Sequence, residues 1–228
     1  MRILSTTLHT ADIDAQRAFY TDTLGFPLVS ATSSSFTVAA GCTRLTFRAS
    51  AGNERHAHHI AFNIPPHQLE EALAWTEGRV TLLPHDDEIV VHFSSWEAKA
   101  FYFEDAAGNI LEMIARNRTP ALNASSPFSA TSVLGLGEVG LAVDVLPTLT
   151  GLLQDGFGVP YFDGDPTGTF CALGDDDGLL IAVETERAWI PTDDCLSGAY
   201  PVAVTFEGDV DCTAQVEGHT LRQVTRQN

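Results

Sequence analysis

The chain has 228 residues, 44% of them hydrophobic, which suits one large or two small packed domains and excludes a disordered segment. Its formal net charge is −18 and Lys99 is its one lysine, so nucleic-acid phosphates and anionic membranes are disfavoured as partners. No apolar run of signal-peptide length lies in 1–20 and none later approaches the ~18 residues of a membrane span, so a cytoplasmic protein is expected.

The elements repeat one plan. From Leu4 to Gly25 a short strand leads into a helix that Asp12 or Asp14 can cap, with Ala15, Ala18 and Phe19 as its stripe; strands follow over 27–33, 36–40 and 44–48. From His59 to Gly78 the plan recurs with Pro66 at the start and Leu69, Ala72 and Leu73 as the stripe, followed by strands over 80–83, 88–93, 101–104 and 110–115. The stretch 117–132, rich in Ser, Asn, Pro and Ala, reads as a linker. A third, more divergent copy starts near Glu138 with Pro147, Leu149, Leu152, Leu153 and Gly156, and 200–206 reads as a strand opening a partial fourth unit. The expected class is α+β, built of tandem βαβββ modules. Units one and two (1–52 and 53–116) form one curved-sheet cleft over 1–116, the linker takes 117–132, and 133–228 holds the third module and the partial fourth.

Alternation assigns the faces. Ser5, Thr7 and His9 turn to the open side of unit one, with Arg44, Thr46 and Arg48 beside them. In unit two His59, Ala61, Asn63, Val90, His92 and Glu112 do so. An imidazole and a carboxylate on one concave face are the donors from which a Zn, Ni, Mn or Fe(II) site is built. Asp163-Gly164-Asp165-Pro166 and Asp175-Asp176-Asp177-Gly178 lack the spacing of a calcium loop and read as hairpin turns. Cys42, Cys171, Cys195 and Cys212 form no CxxC pair, and the sequons at Asn117 and Asn123 carry no weight without secretion.

Phe19-Tyr20 with Leu24-Gly25-Phe26, His59-Ile60-Ala61-Phe62, and the run from Tyr102-Phe103-Glu104-Asp105 through Gly108-Asn109-Ile110-Leu111-Glu112 resemble, in order and spacing, the vicinal oxygen chelate superfamily of glyoxalases, extradiol dioxygenases and bleomycin-resistance proteins. In metal-using members two paired modules give two ligands each, from first and last strands. The resemblance implies His59 and Glu112 as ligands in unit two, whereas Ser5 and Arg44 take those positions in unit one and Glu138 and Ile181 in unit three. One reading is therefore an enzyme of glyoxalase or ring-cleaving dioxygenase type with a divalent ion at His59 and Glu112. The other is a metal-free binding or drug-sequestering protein in which Arg44 replaces the cation. Under both, His92, Arg44 and Tyr102 contact a small molecule; no catalytic residue is assigned, and a homodimer is expected from the exposed module edges.

Overall fold

The computed structural model describes residues 1–52, 56–119, 126–166 and 168–226; the sequon at Asn123 and part of the expected linker lie outside them. Unit one runs β1 (Ile3–Thr10), α1 (Ile13–Ala18), β2 (Leu28–Ala31), β3 (Ser35–Ala40) and β4 (Thr43–Ala49). Asp12 caps α1 by accepting from the Ala15 N–H at 2.9 Å, and a π turn at Phe19–Thr23 extends the helix. Unit two comprises β5 (His59–Ile64), α2 (Leu69–Glu77), β6 (Leu82–Leu83), β7 (Val91–Phe93), β8 (Ala98–Glu104) and β9 (Ile110–Arg116). Unit three has β10 (Gly135–Val143), α3 (Leu146–Gly151), β11 (Tyr161–Gly164), β12 (Phe170–Asp175) and β13 (Gly178–Glu184). A fourth unit has strands alone: β14 (Ala203–Gly208), β15 (Cys212–Val216) and β16 (His219–Thr225).

The strands form two sheets. The first has the order β15-β16-β14-β1-β4-β3-β2, and the second β11-β12-β13-β10-β5-β9-β8-β6 with β7 on β8. Unit one thus pairs with unit four, and unit two with unit three. This corrects the expectation that units one and two share a cleft and gives the fourth unit its partner. Alternation decides which face a side chain takes but not which strand edge it meets. After β1 and β5 pair in parallel with β4 and β9, each keeps one free edge; β14 runs antiparallel on the first and β10 on the second. Glycine lets β10 approach β5, because a Cβ at Gly137 would lie 2.2 Å from Asn63 Oδ1. The aspartate-rich segment at 175–178 is a hairpin turn, with Asp175 paired to Gly178.

One core holds the two sheets together. Phe26, Phe36, Phe47, Phe62, Phe101, Phe103 and Phe206 are wholly buried in it. Units one and two also dock through a buried carboxylate. Asp105, in the turn between β8 and β9, accepts from Tyr20 Oη at 3.1 Å, Asn109 Nδ2 at 2.8 Å and the Ala107 and Asn109 N–H groups, and from Gln16. The stretch 117–132 is more than a spacer where it is described: Phe128 packs edge-on against Trp75, and its N–H donates to Glu71.

His58 lies just before β5, near His56, His9 and His219, and edge-on to Tyr200. Burial first, then the neighbouring His56, push its pKa from 6.5 down to about 3. Between those values the folded chain holds fewer protons than the unfolded one, so this contribution to stability is lost as pH falls through the window. Its slope is at most about 1.4 kcal/mol per pH unit. Urea titrations from pH 7 to pH 4 are expected to show a shallower acid loss in His58→Leu than in the wild type; parallel slopes would refute this.

Candidate metal centre

Three side chains from two units converge on the concave face of the second sheet. On β5, Ala61 lies beside Glu112 of β9 on one side and Glu138 of β10 on the other, so two carboxylates flank a residue too small to separate them. A bulge between Leu136 and Glu138 brings Glu138 into that row. His59, two residues before Ala61, projects from the same face. Its Nε2 lies 3.6 Å from Glu112 Oε2 and 3.7 Å from Glu138 Oε2. Ligand atoms about 2.1 Å from a shared ion sit close to such spacings, so the donor set fits a divalent cation after a small contraction. These residues are the group of three able to hold a metal among the described residues.

The surroundings fit the same use. His59 Nδ1 lies 3.2 Å from the Ile110 carbonyl oxygen, and donation there leaves Nε2 as the free donor atom. Trp189 stacks on the imidazole at 5.2 Å. The indole fits because position 140 is glycine: a Cβ there would lie 2.7 Å from Trp189 Cη2. Tyr102 lies cross-strand from Glu112, and Arg116 Nη2 donates to Glu138 Oε1. Burial, then the Glu138 charge, raise the Glu112 pKa well above the ordinary carboxylate range, against the pull of Arg116 and Tyr102. Burial also raises the Tyr102 hydroxyl, with Glu112 and Glu138 adding to it. Two buried carboxylates with one guanidinium between them leave a negative charge that favours a proton or a metal ion.

The cluster lines a cavity of about 240 Å³, walled by Phe93, Trp96, Tyr102, Phe170, Trp189 and Ile190 and bordered by Arg187 and Asp163. Tyr102 is where the sequence placed it. His92 is not: it is exposed and cross-strand from Lys99, while Phe93 turns to the cavity. The strand covers only Val91–Phe93, so the phase taken from Ile89, which packs against the main core, does not carry through. Arg44 is exposed on the first sheet. It pairs with Ser5, whereas the counterpart of Glu112 there is the partner of Thr7, which is Thr46. Extending the register, Ala203 and Arg222 match Glu138 and Ile181, so the first sheet offers no ligand set at these positions.

The pairing of units two and three turns half a site into three quarters of one. Glu138 takes the first-strand position of unit three as aligned from the sequence, and Ile181, which lines the cavity, stands at the fourth. Sequence reasoning did not bring Glu138 beside His59 and Glu112 because it assigned the wrong partner unit. It also missed Arg187 and Trp189, which lie in the connection between β13 and β14 where no periodicity marks a face. The signal there was compositional: tryptophan beside Ile190-Pro191 in a long polar connection.

Residues 2–113 match the family model for the Glyoxalase/Bleomycin resistance protein/Dioxygenase superfamily. No curated protein matches the chain by sequence. A putative dioxygenase from Bacillus subtilis subsp. subtilis str. 168 shares the fold with a TM-score of 0.65 at 15% identity, over 99% of this chain and 85% of that one. A glyoxalase I mutant from Zea mays does so at 0.59 and 12% identity, over 98% and 93%. The module plan agrees with the family match, and residues 2–113 belong to the glyoxalase, bleomycin-resistance and dioxygenase superfamily, whose fold the whole chain shares with the two solved structures.

Proposed function

We propose that the protein is a divalent-metal enzyme of ring-cleaving dioxygenase type, acting on a small molecule that presents two adjacent oxygens to an ion held by His59, Glu112 and Glu138. The observation that carries this reading is the convergence of those three donors across paired units. When bound, the ion supplies Lewis-acid polarisation of the substrate oxygens and is Zn, Ni, Mn or Fe by the character of the donors. Ile181 in the fourth position supports a ring-cleaving over a glyoxalase-type reaction, because its alkyl side chain cannot coordinate and an ion held by three side chains would have capacity for oxygen as well as for a chelating substrate. The cavity's size and aromatic walls favour a single-ring substrate.

The metal-free sequestering reading loses the residue that motivated it, since Arg44 lies on the other sheet. We place the protein in the cytoplasm, consistent with the absence among the described residues of a helix long and apolar enough to cross a membrane. A homodimer through outer edges such as β2, where Leu28 and Val29 are half-exposed, is part of the proposal. Oxygen uptake with catechol by protein refilled anaerobically with Fe(II) or Mn(II) tests the reaction. Uptake that disappears in His59→Ala is expected, while isomerisation of a hemithioacetal without oxygen uptake would assign the glyoxalase reaction instead.

A further inference from the structure

The cavity holds a cation that takes no part in the carboxylate cluster. Arg187 lines it, and among the described residues its guanidinium has no ion-pair partner. The group sits 5.1 Å over the Phe170 ring and makes a single long hydrogen bond, 3.4 Å, to the Ala188 carbonyl. A guanidinium has five N–H donors, so most remain available. Burial lowers the Arg187 pKa and no carboxylate counters the shift. In a chain with a net charge of −18, a half-buried arginine that no carboxylate pairs with among the described residues stands out. The other arginine near the site, Arg116, is bound to Glu138 and packed against Trp96. The acid at the rim, Asp163, is held by Trp96 Nε1 at 2.5 Å.

The backbone that carries Arg187 is fixed. Its N–H donates to Ser197 Oγ at 3.2 Å, its carbonyl accepts from the Ser197 N–H at 2.8 Å, and Ser197 Oγ donates to the Glu184 carbonyl at 2.9 Å. A cation held on a pinned loop, above an aromatic face and inside an aromatic-walled cavity, is arranged before any ligand arrives.

We infer that Arg187 binds a carboxylate of the substrate, separate from the oxygens that face His59, Glu112 and Glu138, so that the substrate class is a small aromatic acid. This rests on the proposed reading for the two adjacent oxygens, but the Arg187 contact does not need the metal. The planar edge of a guanidinium matches a carboxylate in a two-point hydrogen bond, and the Phe170 ring supports the group at the cavity wall. A volume of about 240 Å³ is enough for one substituted ring.

Quenching of tryptophan fluorescence reports binding, because Trp96 and Trp189 both line the cavity. Two probe pairs are titrated: benzoate against benzyl alcohol with EDTA-stripped protein, and dihydroxybenzoate with adjacent hydroxyls against catechol with zinc-loaded protein. The acid of each pair is expected to bind roughly ten-fold tighter or better. Arg187→Gln should level each pair while leaving catechol and benzyl alcohol within about two-fold of the wild type, and Arg187→Lys should keep part of the preference. No preference in the wild type, or equal weakening of acid and neutral probe in Arg187→Gln, overturns the inference. Zinc that fails to bind while the benzoate preference survives contradicts the metal reading and supports Arg187. Zinc that binds with neither preference does the reverse.

Discussion

Arg116→Leu is expected to cost about 3–5 kcal/mol of stability in the metal-free protein, the range found when one partner of a buried ion pair is removed. The Arg116 side chain is fully buried, ties Glu138 through Nη2 and lies 5.5 Å over the Trp96 ring; its Nε and Nη1 have no partner among the described residues. Without it, Glu138 and Glu112 face each other across Ala61 with no cation between them. The pH dependence has a defined sign. Glu112 already has a raised pKa in the folded chain and Arg116 opposes that rise, so the variant pushes it higher still. A carboxyl with a raised folded pKa contributes stability that is present below its unfolded value, 4.5, and is lost as pH rises through the folded one. The deficit should therefore widen from acid to neutral pH in urea titrations and shrink again in the double variant Arg116→Leu, Glu138→Leu. A single variant as stable as the wild type at neutral pH would show that the pair carries no net burden.

Glu138→Gln is expected to weaken metal binding by at least about two orders of magnitude while leaving the fold intact. Losing an outer partner of a metal ligand typically lowers affinity 10–100-fold, and losing a ligand should exceed that. The amide is nearly isosteric, but it leaves the buried Arg116 guanidinium without its ion-pair partner, so the metal-free protein should unfold at lower urea than the wild type. The loss of metal affinity is the readout that distinguishes a ligand from a structural carboxylate. For a structural carboxylate bonded to Arg116, the same substitution would lower stability and leave affinity unchanged.

Much of the fold was legible because it is local. The Asp12 cap, the apolar helix stripes and the two-residue alternation along β1, β5 and β9 are near-neighbour properties, and they place His59, Ala61 and Glu112 on one face. The partner of β5 was not legible. It depends on the glycines of β10, on a bulge before Glu138 and on the competition between β1 and β5 for β10 and β14, none of which has a period. Two errors at the site follow from that one. Glu138 was aligned to a ligand position but left without its partners, and Arg44 was credited to a cleft on the other sheet. The His92 error is different in kind: a bend at Ile89 and Val90 precedes β7, and a reading that carries one phase across a bend inverts the side chains beyond it.

The central claim, a metal site shared by units two and three, is tested most directly by elemental analysis of untagged protein after refilling with Zn, Ni, Mn or Fe(II) and desalting, for the wild type beside Glu138→Gln. Close to one ion per chain in the wild type, with little or none in the variant, is the predicted result. No ion in either protein, or equal content in both, would contradict it.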